Sequence, residues 1–194
     1  MKTERILLKG IFIPIVFFST TIICGLIMGD YNHLSQMVSE LGALGTSTQY
    51  IFTLGLVLCS ILSIFFVVEL YRVCKNFRIN TIPVFLILAF SVSIAGAGIF
   101  PYPQRLHLLI GMPAILLILS PFLSLILWKK ELPNIKLMSI LCFLIMLLGF
   151  STYWPDFMGN YLGLKQRFFH LGWSVWFIYL GYGFGQLIQR TKAS

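Results

Sequence analysis

Six long apolar segments divide the chain, and short polar segments separate them. A helix needs about 20 residues to cross a hydrocarbon core of about 30 Å, and each apolar segment reaches that length. The segments are continuously apolar rather than alternating, which favours helices over the strands of a membrane barrel. The pattern therefore predicts an all-α membrane protein, one domain over residues 1–194. Its six predicted spans lie at about 10–29, 49–71, 82–100, 107–128, 135–154 and 168–189.

The composition agrees with lipid as the main solvent. Hydrophobic residues make up 58% of the chain and charged residues only 10%, whereas a soluble domain carries roughly 25% charged residues. The formal net charge of +8 comes from basic residues at the span ends, where anionic lipid headgroups attract them. Membrane lipids are therefore the expected partners, and nucleic acid is not.

The distribution of Lys and Arg predicts the orientation. One side carries eleven of the fourteen: Lys2, Arg5, Lys9, Arg72, Lys75, Arg78, Lys129, Lys130, Lys136, Arg190 and Lys192. The other side carries Arg105, Lys165 and Arg167. Because cytoplasmic loops are enriched in positive charge, both termini are predicted in the cytoplasm of a bacterial plasma membrane.

Two features within the spans stand out. Pro113 and Pro121 share the fourth span and each removes a backbone donor, so that helix is predicted to be the most bent. Glu69 is the one acidic residue near a span, and Arg72 follows it by three positions. A local surface pair at the cytoplasmic end is the predicted interpretation.

The segment after the first span has a helical pattern of its own. Apolar residues fall at positions 34, 37, 38, 41 and 44, a spacing of 3.6 residues. Asn32 is a suitable N-cap and Gly42 a suitable C-terminal stop. The pattern predicts a short amphipathic helix lying in the outer membrane interface.

Cations stand at the predicted beginnings of two spans on the non-cytoplasmic side. Arg105 and His107 open the fourth span, and Arg167 and His170 open the sixth. Helix N-termini favour anions, so these cations call for a negative partner. An anionic ligand or lipid headgroup, with Glu40 as counter-ion, is the leading functional hypothesis.

The three histidines of the chain, His33, His107 and His170, all lie on this non-cytoplasmic side. Three histidines and a carboxylate can bind zinc and activate water. A zinc-dependent membrane hydrolase acting on lipids is therefore the alternative, although no H-x-x-x-H or H-E-x-x-H spacing is present. No cofactor is expected otherwise. A third alternative is a purely structural or assembly protein, whose polar groups pair with one another and with water.

Three short motifs carry a resemblance to a known family. They are Ser39-Glu40-Leu41-Gly42-Ala43-Leu44-Gly45, Gly98-Ile99-Phe100-Pro101 with His107, and Gly163-Leu164-Lys165-Gln166-Arg167. In this order the chain resembles the uncharacterised prokaryotic membrane proteins grouped as Domain of Unknown Function 998. More distantly it is similar to the DRAM and FRAG-type membrane proteins, which are linked to phosphoinositide and lipid biology.

The resemblance implies six spans and no particular reaction. It implies that the family motif positions are Ser39, Glu40, Gly42, Pro101, His107, Gln166 and Arg167, whereas His33 and His170 fall outside the pattern. Taken with the charge pattern, the predicted ligand-binding set is Ser39, Glu40, Arg105, His107, Gln166 and Arg167.

Overall fold

The computed structural model describes residues 2–128, 131–154 and 156–193, and the side chains of 6–128, 131–154 and 156–190. Lys129 and Lys130, two of the cations in the charge count, lie outside the described residues. Helices and short loops make up this part of the chain, without a strand. The α-helices are α1 Lys2–Met28, α2 Gln49–Asn76, α3 Ile82–Ile99, α4 Arg105–Gly111, α5 Leu119–Leu127, α6 Ile135–Gly149 and α7 Leu162–Ala193.

The helices form a closed ring. Each packs against its neighbours in sequence, and α7 completes the ring by packing against α1 and α6. The α1–α7 contact is close because two glycines meet there: a Cβ on Gly10 would lie 3.4 Å from the Cα of Gly181. We call the end of the bundle formed by residues 29–48, 100–104 and 150–161 the distal end, and residues 29–48 the distal loop.

Five helical segments are long and apolar enough to cross a membrane, with mean hydropathy between 2.1 and 2.8. They are Ile6–Met28, Gln49–Asn76, Ile82–Ile99, Arg105–Leu127 and Ile135–Tyr153. The chain therefore has the architecture of a multi-pass membrane protein. The predicted sixth span, α7, is 32 residues long but does not belong to this set, because its Trp, Tyr, Gly and His residues lower its hydropathy.

The aromatic residues of α7 form the centre of the bundle. Trp173 and Phe177 are fully buried, and their rings meet those of three other helices. The centroid distances are 5.3 Å from Trp173 to Phe17, 5.1 Å from Trp173 to Phe90 and 5.7 Å from Phe177 to Phe66. Helices in lipid gain little from the hydrophobic effect, so close packing of such rings is what favours association.

The fourth predicted span is not one continuous α-helix, and its predicted bend stays a prediction. Between α4 and α5 the chain forms a 3₁₀ helix, Met112–Ile118. Pro113 has no N–H to donate to the carbonyl of Leu109, so a regular α-helix cannot continue through this point. A 3₁₀ stretch of seven residues is unusually long, since such runs seldom exceed about four residues.

The distal loop differs from the predicted amphipathic helix. Its one helical element is a 3₁₀ helix, Val38–Gly42. Side chains capture backbone donors that an α-helix would have used: the side-chain oxygens of Asn32, Gln36 and Glu40 accept from Leu34 N, Asn32 N and Met37 N. Asn32 is therefore not the N-cap of a helix, since the 3₁₀ helix has Met37 at that position, and local side-chain bonds compete with the helical ladder.

Glu69 has a different partner from the predicted one. Its carboxylate forms an ion pair with Lys9 of α1 rather than with Arg72, so the prediction of a local pair is wrong. The spacing along α2 indicated Arg72 as the partner, whereas the packing of α1 against α2 brings Lys9 closer to Glu69.

Candidate functional site

A cavity of about 240 Å³ lies towards the distal end, between α1, α2, α3, α4 and α7. Most of its wall is apolar. Its polar side chains are those of Ser39, Ser93, His107, Thr152, Tyr153, Gln166 and His170. Among the side chains that the structure describes, no Asp, Glu, Lys or Arg lines the cavity. The wall therefore offers hydrogen bonds but no formal charge.

His107 completes the end of α3. Its Nδ1 lies 3.0 Å from the carbonyl oxygen of Ala97 and 2.9 Å from that of Phe100. The Ala97 carbonyl lacks its usual helical donor because residue 101 is proline. Since both partners are acceptors, Nδ1 carries a proton and donates, and in the neutral ring Nε2 is then an acceptor. Pro101 removes the donor to the Ala97 carbonyl and His107 replaces it, which gives a physical reason for the presence of both residues in the motif.

His170 has the opposite arrangement. Its Nδ1 accepts a hydrogen bond from Trp173 Nε1 at 3.0 Å, so Nε2 carries the proton in the neutral ring. Nε2 is buried and has no partner among the described atoms. A buried donor without a partner is uncommon and unfavourable. The cavity wall therefore includes one ring with a free acceptor and one with an unsatisfied donor.

Gln166 joins the distal loop to α7. Its Oε1 accepts from the backbone N–H of Val38 at 2.7 Å, and this bond holds Ser39 at the cavity wall. Because the oxygen is engaged, the donor side of the amide is the part that can still bind another group. The structure thus brings together four residues of the sequence predictions: Ser39, His107, Gln166 and His170.

Arg167 lies behind the cavity and holds the distal loop. Nη1 donates to the carbonyl oxygens of Gln36 at 3.2 Å and Gly163 at 3.0 Å. Nη2 donates to the hydroxyl of Tyr31 at 2.9 Å and to Nδ1 of His33 at 2.8 Å. Four acceptors of the protein therefore occupy the guanidinium donors that were expected to bind an anion.

Backbone carbonyls of the distal loop also satisfy the beginning of α7. Leu164 N donates to Leu34 O at 2.8 Å, and Gly163 N donates to Ser35 O at 3.3 Å. These N–H groups are the positive end of the helix dipole, where a bound anion was expected. Arg167 itself is the sixth residue of α7, so it stands one turn further along than the sequence indicated.

Glu40 forms no ion pair with Arg105 or Arg167. Its carboxylate accepts from Met37 N at 2.9 Å and from the side-chain amide of Gln36 at 3.4 Å. Neither Arg105 nor Arg167 is within ion-pair distance of a carboxylate in the described chain. Arg105 is exposed at the first residue of α4 and does not line the cavity. The six residues of the predicted anion set therefore separate into cavity residues, loop residues and a surface cation.

The three histidines do not meet in one metal group. His107 and His170 line the cavity, whereas His33 packs against the ring of Tyr31 and the guanidinium of Arg167. Within the described ranges there is no cluster of three or more His, Cys, Asp or Glu residues that could hold a metal ion. Topology placed the histidines at one end, but packing separated them.

Lys165 has a structural role at the distal end that the sequence analysis did not predict. This fully buried lysine donates to the carbonyl oxygens of Trp154 at 3.0 Å and Phe157 at 2.6 Å. It thereby fixes the loop between α6 and α7. Its position between Leu164 and the motif residue Gln166 was the available signal.

The fold and the cavity define a multi-pass, all-helical membrane protein with an uncharged polar pocket between its helices. The family model described as "Protein of unknown function (DUF998)" matches residues 11–183, and the chain belongs to this family. No curated protein and no solved structure matches the chain. No match supports the similarity to DRAM and FRAG-type proteins, which stays a prediction.

Proposed function

We propose that the protein spans the plasma membrane six times, with α7 as the sixth span and the distal end outside. The charge distribution supports this orientation, since eleven of fourteen Lys and Arg residues belong to the opposite side. The low hydropathy of α7 is compatible with a span because Trp173, Trp176 and Phe177 are buried against other helices rather than exposed to lipid. A buried span need not be as apolar as one that faces lipid.

We further propose that the cavity binds a ligand with an apolar body and an uncharged hydrogen-bonding group. The observation that carries this is the pair of complementary imidazoles: an acceptor at His107 Nε2 and an unsatisfied donor at His170 Nε2. A hydroxyl matches this pair because it both donates and accepts, whereas an ester carbonyl only accepts and therefore matches the donor of His170 alone.

An ionised ligand fits the cavity less well. Transfer of a charge into an apolar site is strongly unfavourable unless an opposite charge meets it. Since the described lining has no charged side chain, the geometry favours a neutral polar group over the anion suggested by the sequence. An anion held by Arg105 and Arg167 with Glu40 is the competing proposal, and the experiment below distinguishes the two.

The test is lipid selection in nanodiscs that contain equal amounts of diacylglycerol, phosphatidylethanolamine and phosphatidylglycerol, with bound lipids measured by native mass spectrometry. Diacylglycerol should be enriched on the wild type. Ala97→Phe fills the cavity and should lower that enrichment at least fivefold. Val92→Phe, on the exposed face of the same helix, is the matched control and should retain it.

Two results would change the proposal. Enrichment of phosphatidylglycerol that is lost in Arg167→Gln, and unaffected by Ala97→Phe, would replace the neutral ligand by an anion at the distal end. No enrichment of any lipid on the wild type would reject a lipid ligand altogether.

A further inference from the structure

The cavity is too small to enclose a whole lipid. Sites that enclose a drug-sized ligand have volumes of about 300–1,000 Å³, and this cavity has about 240 Å³. A lipid that places its polar group here must leave most of its chain outside. The cavity therefore needs an opening wide enough for a chain, and the position of that opening determines where the ligand comes from.

The structure has such an opening beside the broken fourth span. Leu108 of α4 and Met112 of the following 3₁₀ helix line the cavity, yet they are 58% and 59% exposed. Tyr153 also lines the cavity and is 65% exposed. A side chain that faces both the cavity and the exterior marks an edge of the opening, so these three residues form its rim.

The wall on the side of α4 is thin. No residue of α4 is buried, and its extensive contacts are with α3 and with the 3₁₀ helix Met112–Ile118. This 3₁₀ helix replaces an α-helical stretch in the middle of the span, and such stretches often mark hinges. One edge of the rim therefore lies where the helices are thinly packed.

The composition of the rim suits hydrocarbon better than water. Its two edges belong to Arg105–Leu127 and Ile135–Tyr153, both of which are long and apolar enough to cross a membrane. The rim residues Leu108 and Met112 are apolar, and Tyr153 combines an apolar ring with a polar hydroxyl, as is common at membrane interfaces. A chain in the opening would therefore remain in the bilayer while the polar group entered the protein.

We infer that the cavity is loaded sideways from the bilayer, through the opening between Leu108 and Met112 on one edge and Tyr153 on the other. The ligand is a membrane lipid with an uncharged hydroxyl or ester group of the acylglycerol class. Its polar group binds between His107 and His170, and its acyl chain passes out through the opening. This inference rests on the proposed cavity ligand and adds its class and route.

The experiment follows loading with time. Protein in nanodiscs is mixed with vesicles that contain a monoacylglycerol carrying a diazirine close to its glycerol group. Samples are illuminated at intervals, and labelled residues are identified by mass spectrometry. Labelling of Phe90 or Ser93, which are buried in the bundle, reports entry of the polar end.

Met112→Trp narrows the opening and should slow labelling of Phe90 and Ser93 at least fivefold, with the final extent unchanged. Leu109→Trp is the matched control, because Leu109 is 64% exposed and belongs to the same segment, Arg105–Leu127, but does not line the cavity. The labelling rate of this variant should equal that of the wild type. Tyr153→Ala widens the opening and should raise the rate, and this variant decides the matter if Met112→Trp does not fold.

The outcomes separate the two proposals. If the wild type is labelled at Ser93 and both rim variants load at the wild-type rate, the sideways route is rejected while the cavity ligand stands. If the wild type is never labelled at Phe90 or Ser93, both the route and the acylglycerol ligand are rejected.

Discussion

Arg167 and His33 form the contact that attaches the distal loop to the last helix. Nη2 of Arg167 donates to Nδ1 of His33 at 2.8 Å, so His33 must be neutral for this hydrogen bond to exist. Tyr31 accepts from the same Nη2 and donates to the carbonyl oxygen of Met37 at 2.8 Å. The protonation state of one imidazole therefore affects the position of the loop that contributes Val38 and Ser39 to the cavity wall.

The first prediction concerns pH. Burial, together with the neighbouring Arg167, lowers the pKa of His33. The unfolded chain therefore binds this proton more tightly than the folded protein, and stability should fall as pH decreases below about 6.5, the usual pKa of histidine. His33→Asn keeps an acceptor without the titration, so its melting temperature between pH 7.5 and 5 should depend less on pH. Equal slopes for the two proteins would contradict the prediction.

The second prediction concerns the contact of the distal loop with α7. A Cβ on Gly163 would collide with the carbonyl oxygen of Gln36 and would lie 2.8 Å from that of His33. Since backbone atoms cannot rotate away, Gly163→Ala should lower the free energy of unfolding by about 1–3 kcal/mol. Gly159→Ala is the matched control, because nothing lies within 4 Å of its added Cβ. Thermal unfolding in detergent measures both, and similar destabilisation of the two variants would refute the contact.

The third prediction concerns Lys165. Lys165→Met removes the donor from the buried contact with Trp154 O and Phe157 O, which should lower stability by about 1–3 kcal/mol. The loop between α6 and α7 should also become more sensitive to protease. Lys136→Met, at an exposed lysine of α6, serves as the control. Unchanged cleavage in residues 154–161 would show that Lys165 does not fix this loop.

The fourth prediction concerns Lys9 and Glu69, whose side chains are 30% and 27% exposed. Glu69→Gln should destabilise the protein by about 1 kcal/mol, because the partly buried ammonium of Lys9 loses its partner. Lys9→Met combined with Glu69→Leu should recover most of that loss, as both charges are then absent. Arg72→Gln should have little effect. A loss in Arg72→Gln as large as that in Glu69→Gln would instead support the local pair.

The helical elements were predictable to a large extent, because each apolar segment specifies its own helix. The third predicted span, 82–100, corresponds to Ile82–Ile99, and the fifth, 135–154, corresponds to Ile135–Tyr153. The break in the fourth span was also predictable, since proline removes a backbone donor in any surroundings. The distal loop was not, because its 3.6-residue spacing competed with side-chain hydrogen bonds that involve Gln36, Glu40 and the distant Gln166.

The candidate site was also predictable only in part. The motif residues His107 and Gln166 do lie at one cavity, and charge counting placed them at one end of the molecule. Arg167 was expected to need an anion, because a cation at the beginning of a helix is unfavourable. The folded chain supplies Tyr31 and His33 instead, from more than 130 positions away.

The amino-acid sequence by itself determined the class of protein, the positions of its helices and the end at which its histidines gather. These depend on local composition and on the absence of water around a span, which forces each segment to satisfy its own backbone. Only the tertiary structure decided which cations are already satisfied, which imidazole nitrogens remain free and where the cavity opens. Those properties depend on contacts between distant segments, and a span pattern carries no information about which side chains will meet.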